Sequence, residues 1–214
     1  MTAAVLFDLD GTFADTAPDL GRAVNAMRAA RGLLPVALAE TRRVTSLGAR
    51  GLLGAGFGIA PGHADYDAMR TEFLQIYENN LCCDTVLFPG MAELIDRLEQ
   101  RTIAWGIVTN KSERLARPLL QQLGYDRRAA CIIGGDTTAH MKPHPAPLLA
   151  AARALNVAPR DCLYVGDDQR DIEAGRAAAM RTVAVRFGYL NGSDPENWGA
   201  DAIVSTPAEI ENLI

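Results

Sequence analysis

The sequence predicts an α/β fold: a doubly wound (Rossmann-like) parallel sheet core with an inserted all-α helical cap domain. Three observations predict it. Short unbroken apolar runs recur along the chain, the pattern of strands buried on both faces. From residue 91 onward, stretches with helical periodicity separate these runs, as crossover helices separate parallel strands. Between about Asp15 and Asp84 the alternation stops, and the pattern there is helical with no convincing strand.

The elements follow in order. Ala3-Ala4-Val5-Leu6-Phe7 makes the first strand and is cut off by Asp8. Pro18 opens a helix with Leu20, Val24, Met27 and Ala30 on one stripe. Glu40 to Leu47, Arg50 to Leu53 and Tyr66 to Leu81 read as further helix, and Gly54, Gly56, Gly58, Pro61 and Gly62 mark loops between them. The α/β pattern resumes near Leu87-Phe88-Pro89-Gly90. Helices are expected over Met91 to Gln100, Glu113 to Leu123, Ala146 to Leu155 and Asp171 to Met180. Strands are expected over Ile103 to Val108, Ala130 to Ile133, Cys162 to Val165, Val183 to Val185 and Ile203-Val204. Residues 1–14 and 86–214 therefore form the core domain and 15–85 the cap, about 140 and about 70 residues.

Composition narrows the function. The 214 residues carry 21 Lys+Arg against 26 Asp+Glu, a net charge of −5, which argues against nucleic-acid or acidic-membrane binding. A small anionic substrate stays open, because a local site can oppose the global sign. No apolar run approaches the roughly 18 residues of a membrane helix, and Met1 to Asp10 has no basic region or signal-peptide core. A cytoplasmic location is the expectation. The four cysteines form no C-x-x-C and read as buried free thiols rather than a disulfide framework. Nothing is diagnostic of oligomeric state, and a monomer or weak homodimer is expected.

In open α/β sheets the reactive crevice lies beyond the carboxyl ends of the strands. The unusual polar clusters all fall there: Asp8, Asp10, Gly11 and Thr12; Thr109 and Asn110; Lys142; and Gly166, Asp167, Asp168 and Asp171. Converging carboxylates of Asp8, Asp10, Asp167 and Asp171, with Asp168 nearby, repel one another unless a cation joins them. All-oxygen donors favour Mg²⁺ over a transition metal. A Lys and a Thr at the same edge can hold phosphate oxygens. A carboxylate can attack phosphorus, and a second carboxyl two residues on can protonate the leaving oxygen and then activate water.

Four ordered motifs, D-L-D-G-T (Asp8 to Thr12), V-T-N (Val108 to Asn110), K-P (Lys142-Pro143) and V-G-D-D-x-x-D (Val165 to Asp171), resemble those of the haloacid dehalogenase superfamily over nearly the whole chain. The resemblance implies Asp8 as nucleophile, Asp10 as general acid/base, and Thr109 and Lys142 as stabilisers of phosphate. It implies Mg²⁺ on Asp8, the Asp10 backbone carbonyl and Asp167, with Asp171 supporting the metal shell or Lys142. Asp168 stands where the family often has Ser or Thr and is left out of the metal shell; Phe13 replaces the usual Leu or Val and should affect packing only. The helical insertion resembles the small cap of the phosphoglycolate phosphatase-like branch. V-T-N-K-S-E-R-L-A-R-P-L-L-Q-Q-L-G, S-L-G-A-R-G and the tail G-Y-L-N-G-S-D-P-E-N-W-G-A-D are similar to a narrower group that includes N-acetylmuramic acid 6-phosphate phosphatases of peptidoglycan recycling. Arg50 and Asn110 join Thr109 and Lys142 as candidate substrate contacts.

The implied activity is Mg²⁺-dependent hydrolysis of a small phosphomonoester, 2-phosphoglycolate or a sugar phosphate, with N-acetylmuramic acid 6-phosphate as the alternative substrate. A dehalogenase is disfavoured by Asp10 with Asp167. A β-phosphoglucomutase-like mutase keeps the Asp pair, and a receiver-type phospho-acceptor domain would place its acceptor in a later strand. Other features read as structural. His140 and His144 are four apart, but Pro143 and Pro145 forbid a regular helix there. The glycines from Gly48 to Gly58 do not form a dinucleotide fingerprint after a strand. His63 is a loop residue, Arg127-Arg128 a solvated turn and Trp198 a packing residue of the tail.

Overall fold

The computed structural model describes residues 2–214. Ala4–Phe7 (β1) is buried at every position. Val5 and Phe7 face one hydrophobic layer and Ala4 and Leu6 the other, which is why its apolar run is unbroken. Five further strands complete an all-parallel sheet around it: Ala104–Val108 (β4), Cys131–Ile133 (β5), Cys162–Gly166 (β6), Arg181–Val185 (β7) and Ala202–Val204 (β8), in the order β5-β4-β1-β6-β7-β8. The chain winds outward from β1 through β4 and β5, then crosses back to β6, β7 and β8. β1 therefore sits at the topological switch point, where ligands bind in such sheets.

Helices cover both faces. Met91–Gln100 (α5), Glu113–Leu123 (α6) and Pro207–Ile210 (α9) pack with Val5 and Phe7. Ala146–Leu155 (α7) and Gln169–Ala177 (α8) pack with Ala4 and Leu6. Phe13 fills the first layer, stacked on Trp105 with centroids 5.6 Å apart and edge-on to Tyr125 at 5.4 Å. Trp198 is buried with Ile172 and Ala184, the packing role its sequence context implies.

The insertion is helical: Ala17–Ala29 (α1), Leu38–Arg43 (α2), Gly48–Phe57 (α3) and Tyr66–Glu78 (α4). They enclose their own apolar cluster around Leu20, Val24, Met27, Leu52, Leu53, Phe73 and Tyr77. Leu115 of α6 reaches into this cluster from the sheet side.

The structure corrects four expectations. Glu40 to Leu47 is not one helix; α2 ends at Arg43 and a 3-10 turn spans Thr45–Leu47. Gly54 and Gly56 are not loop residues but lie inside α3. A Cβ at Gly56 would meet Val24 Cγ1 at 2.5 Å, so glycine there lets α1 and α3 approach closely. A strand pair that the alternation could not reveal joins the two parts: Ala14–Asp15 (β2) runs antiparallel to Val86–Leu87 (β3). The cysteines are free, but Cys83 is exposed rather than buried. Among the described residues, no helix is long and apolar enough to cross a membrane.

Candidate active site

Three strand ends converge on one point. Asp8 follows β1 and extends its ladder by one bond, N–H to Val165 O at 2.9 Å. Thr109 does the same beyond β4, donating to Ile133 O at 2.9 Å. Asp167 follows β6. The chain then turns sharply at Gly11, where φ is +91°; a Cβ there would lie 2.1 Å from Asp167 Oδ2.

Lys142 is the hub. It is buried, and its Nζ lies 2.8 Å from Asp8 Oδ1, 2.6 Å from Asp171 Oδ1, 3.0 Å from Val108 O and 2.7 Å from Tyr164 Oη. Burial would lower the Lys142 pKa, but the Asp171 and Asp8 carboxylates outweigh it and raise the value, so the ammonium keeps its proton. Asn110 fixes the hub from behind. Its amide donates to Lys142 O and accepts from Lys142 N–H, both at 2.9 Å. The Asn110 side chain, expected to touch substrate, lines the cleft and also holds the lysine loop.

Asp8, Asp167 and Asp171 each present an oxygen within 4.8 Å of the others. Burial pushes the Asp8 carboxyl from 3.8 up to about 6, against the pull of Lys142. Burial, then the Asp8 and Asp171 charges, raise Asp167 well above its ordinary value. Asp167 is fully buried; its carboxylate accepts from Thr12 Oγ1 at 3.0 Å and from Tyr189 N–H at 2.8 Å, and neither donor brings a full charge. Three close, buried, oxygen-only donors with one lysine among them are a donor set for a hard divalent cation.

The Asp10 side chain does not converge with this triad, contrary to the expectation of four carboxylates meeting. It turns to the cleft wall, accepting from Thr16 Oγ1 at 2.6 Å and Lys111 Nζ at 2.9 Å. That leaves its backbone carbonyl as the group to consider at the metal site. Asp171 has two tasks, pairing with Lys142 and accepting the Asp168 N–H at 3.1 Å in the capping box that starts α8. Asp168 stays outside the triad, where Arg170 grips it at 2.7 and 2.9 Å. Burial would raise the Asp168 pKa, but Arg170 lowers it below the ordinary value.

Above the triad lies a cleft of about 490 Å³ between the sheet edge and helices α1, α3 and α4. Asp8, Asp10, Thr109 and Lys142 line its floor, and Arg50 of α3 and Arg70 of α4 line its helical side. Arg50 is exposed, and neither arginine has an ion-pair partner among the described residues. Arg70, Lys111, Tyr164 and Tyr189 escape a reading of the sequence. Lys111 directly follows the Thr109-Asn110 pair, and that adjacency was the one available signal. Its Nζ lies 4.6 Å from the ring centroid of Tyr77 on α4. Tyr164 hides in the apolar run of β6.

The family model for haloacid dehalogenase-like hydrolases matches residues 5–185. The chain is 46% identical over 212 residues to an N-acetylmuramic acid 6-phosphate phosphatase of Pseudomonas putida, covering 99% of this chain and 95% of that one. It is 50% identical over 208 residues to a phosphoglycolate phosphatase of Xanthomonas campestris pv. campestris, covering 97% and 94%. A crystal structure described as a predicted phosphoglycolate phosphatase from Haemophilus somnus superposes with a TM-score of 0.88 at 26% identity, covering 99% and 97%. The chain belongs to the haloacid dehalogenase-like hydrolase family.

Proposed function

We propose that this protein is a Mg²⁺-dependent phosphomonoester hydrolase working through an aspartyl-phosphate on Asp8. The observation that carries this reading is the placement of Asp8. It sits at the switch point on the cleft floor, 2.8 Å from a buried lysine and within 4.8 Å of two more carboxylates. Asp8 attacks phosphorus as the ester P–O bond breaks. Lys142 and Thr109 hold the phosphoryl oxygens. Asp10 gives a proton to the leaving alkoxide and then takes one from the water that releases phosphate. Asp8, the Asp10 backbone carbonyl and Asp167 would hold Mg²⁺, with Asp171 beside them; bound there it would neutralise the crowded negative charge. Residues 15–85 act as the cap and exclude water when closed. Cap and core already touch through Arg170 and Ser46 O at 2.7 Å and through the Arg114–Glu78 ion pair. Four free cysteines fit a reducing, cytoplasmic setting.

The cleft favours a substrate with a second anion and some bulk. About 490 Å³ exceeds what a two-carbon acid phosphate fills, and Arg50 and Arg70 face it without carboxylate partners. A carboxylated sugar phosphate of the N-acetylmuramic acid 6-phosphate kind suits it better than 2-phosphoglycolate. Phosphate release from both compounds, with Mg²⁺ and with chelator, tests the reading; equal activity in chelator rejects the metal, and transfer to a second sugar instead of free phosphate indicates a mutase. Arg50→Ala or Arg70→Ala should raise KM for a carboxylated substrate about 10- to 100-fold, the value of a charged hydrogen bond. The same variants should leave hydrolysis of p-nitrophenyl phosphate within about twofold.

The pKa shifts give a signed prediction for stability. The folded, metal-free protein holds protons on Asp8 and Asp167 that the unfolded chain releases above about pH 4, so its stability falls as pH rises through about 6. The rise of Asp8 from 3.8 to about 6 corresponds to about 3 kcal/mol. Because Mg²⁺ needs the ionised carboxylates, it should raise Tm clearly at pH 7.5 and little at pH 5. Equal shifts at both values would contradict the assignment.

A further inference from the structure

The segment after β7 makes a link that the reaction above does not use. Tyr189 is 5% exposed, and its backbone N–H donates to Asp167 Oδ2 at 2.8 Å. Its hydroxyl lies at Asp15–Ala17, the short hinge where β2 gives way to α1. There it accepts from the backbone N–H groups of Thr16 at 2.7 Å and Ala17 at 2.9 Å, and donates to Asp15 Oδ1 at 3.0 Å.

That arrangement answers a local need. The first amides of a helix lack partners within the helix and usually take one from the N-cap side chain. α1 has no such cap: the Thr16 side chain is turned to Asp10, to which its hydroxyl donates at 2.6 Å. The Tyr189 hydroxyl, 172 residues along from Ala17, supplies the missing acceptor. Arg42 closes the group, pairing with both Asp15 oxygens at 2.9 and 2.7 Å while its guanidinium lies 5.7 Å from the Tyr189 ring centroid. The fit leaves no slack. A Cβ at Gly188 would lie 2.2 Å from Asp167 Cβ, and one at Gly11 would lie 2.8 Å from Tyr189 Cδ2.

We propose that Tyr189 is a positioning residue that couples the cap angle, set at the Asp15–Ala17 hinge, to the placement of the Asp167 carboxylate. One rigid side chain is tied at its hydroxyl to the start of the cap's first helix and at its amide to the triad. Swinging α1 moves the hydroxyl, and the ring carries that motion to the N–H that fixes Asp167 Oδ2. Linkage then requires reciprocity: a cation held by Asp167 stiffens the hinge amides, and a closed cap tightens the cation site. The inference rests on the reading of Asp8, Asp167 and Asp171 as a cation site, which Mg²⁺ titration of the wild-type protein tests separately.

The experiment is amide hydrogen exchange at Thr16 and Ala17, followed by NMR on the full chain, metal-free and in saturating Mg²⁺. In the wild type, Mg²⁺ should slow exchange at both amides several-fold. In Tyr189→Phe both should exchange faster, should no longer respond to Mg²⁺, and Mg²⁺ should bind several-fold more weakly. A merely structural role would lower Tm while leaving the Mg²⁺ response intact. If that variant does not fold, Asp15→Ala removes the acceptor of the hydroxyl proton while leaving the ring and the two amide bonds, and should show a smaller loss of the Mg²⁺ response in the same direction; an unchanged response there overturns the coupling. Wild-type protein that binds no Mg²⁺ overturns the cation site and the coupling together. Wild-type protein that binds Mg²⁺ without slowing the hinge amides, or a Phe variant that keeps the response, overturns the coupling alone.

Discussion

Replacing Asp8 with asparagine is expected to lower phosphate release by on the order of 10⁴-fold or more, as loss of a nucleophile does elsewhere. The amide matches the carboxylate in shape but cannot attack phosphorus. The fold should survive. Lys142 keeps Asp171 at 2.6 Å, Val108 O and Tyr164 Oη, and the substitution removes a buried carboxyl whose ionisation is already disfavoured. Melting of the metal-free variant should therefore stay close to that of the parent, while its gain from Mg²⁺ shrinks. Turnover within tenfold of the parent would remove Asp8 from the role of nucleophile.

Lys142→Met should damage both activity and stability. The methionine fills similar space but leaves Asp8 and Asp171 buried with no cation between them. Breaking a buried ion pair from one side costs about 3–5 kcal/mol. In a chain of this length that is a fall in Tm of roughly 10 °C. The loss should be partly recovered at pH 5, where protonation relieves the repulsion, and by Mg²⁺ at neutral pH. Phosphate release should fall by at least about 10²-fold, because the charge that the proposed mechanism places on the transferring phosphoryl group would be gone. A variant as stable as the parent at pH 7.5 would show that Lys142 is not the counterion of this cluster.

Much of the fold was legible because its signals are local. The run Ala4 to Phe7 is continuous, and the stripes in α5, α6 and α7 begin and end where their periodicity does. The β2–β3 ribbon was not legible, since two residues carry no period. Gly54 and Gly56 were misread because what calls for glycine at position 56 is the distant Val24. In the site, Asp8, Asp167, Asp171 and Lys142 stand at strand ends or in a neighbouring loop, and topology brings them together. The direction of the Asp10 side chain depends on Thr16 and Lys111, and the commitment of Asn110 depends on the Lys142 loop; neither is encoded beside the residue concerned. Arg70 and Tyr189 reach the site from helix and tail positions whose neighbours in sequence say nothing about it.

The ribbon of Ala14–Asp15 against Val86–Leu87 brings the two ends of the insertion side by side. To the sheet, the whole helical insertion is thus one long loop with its mouth already shut, and closing such a loop depends only weakly on its length. Caps of other sizes should be exchangeable across this junction at small cost to the sheet. The graft must carry its own match for Leu115, because that α6 side chain completes the apolar interior of the cap it now meets.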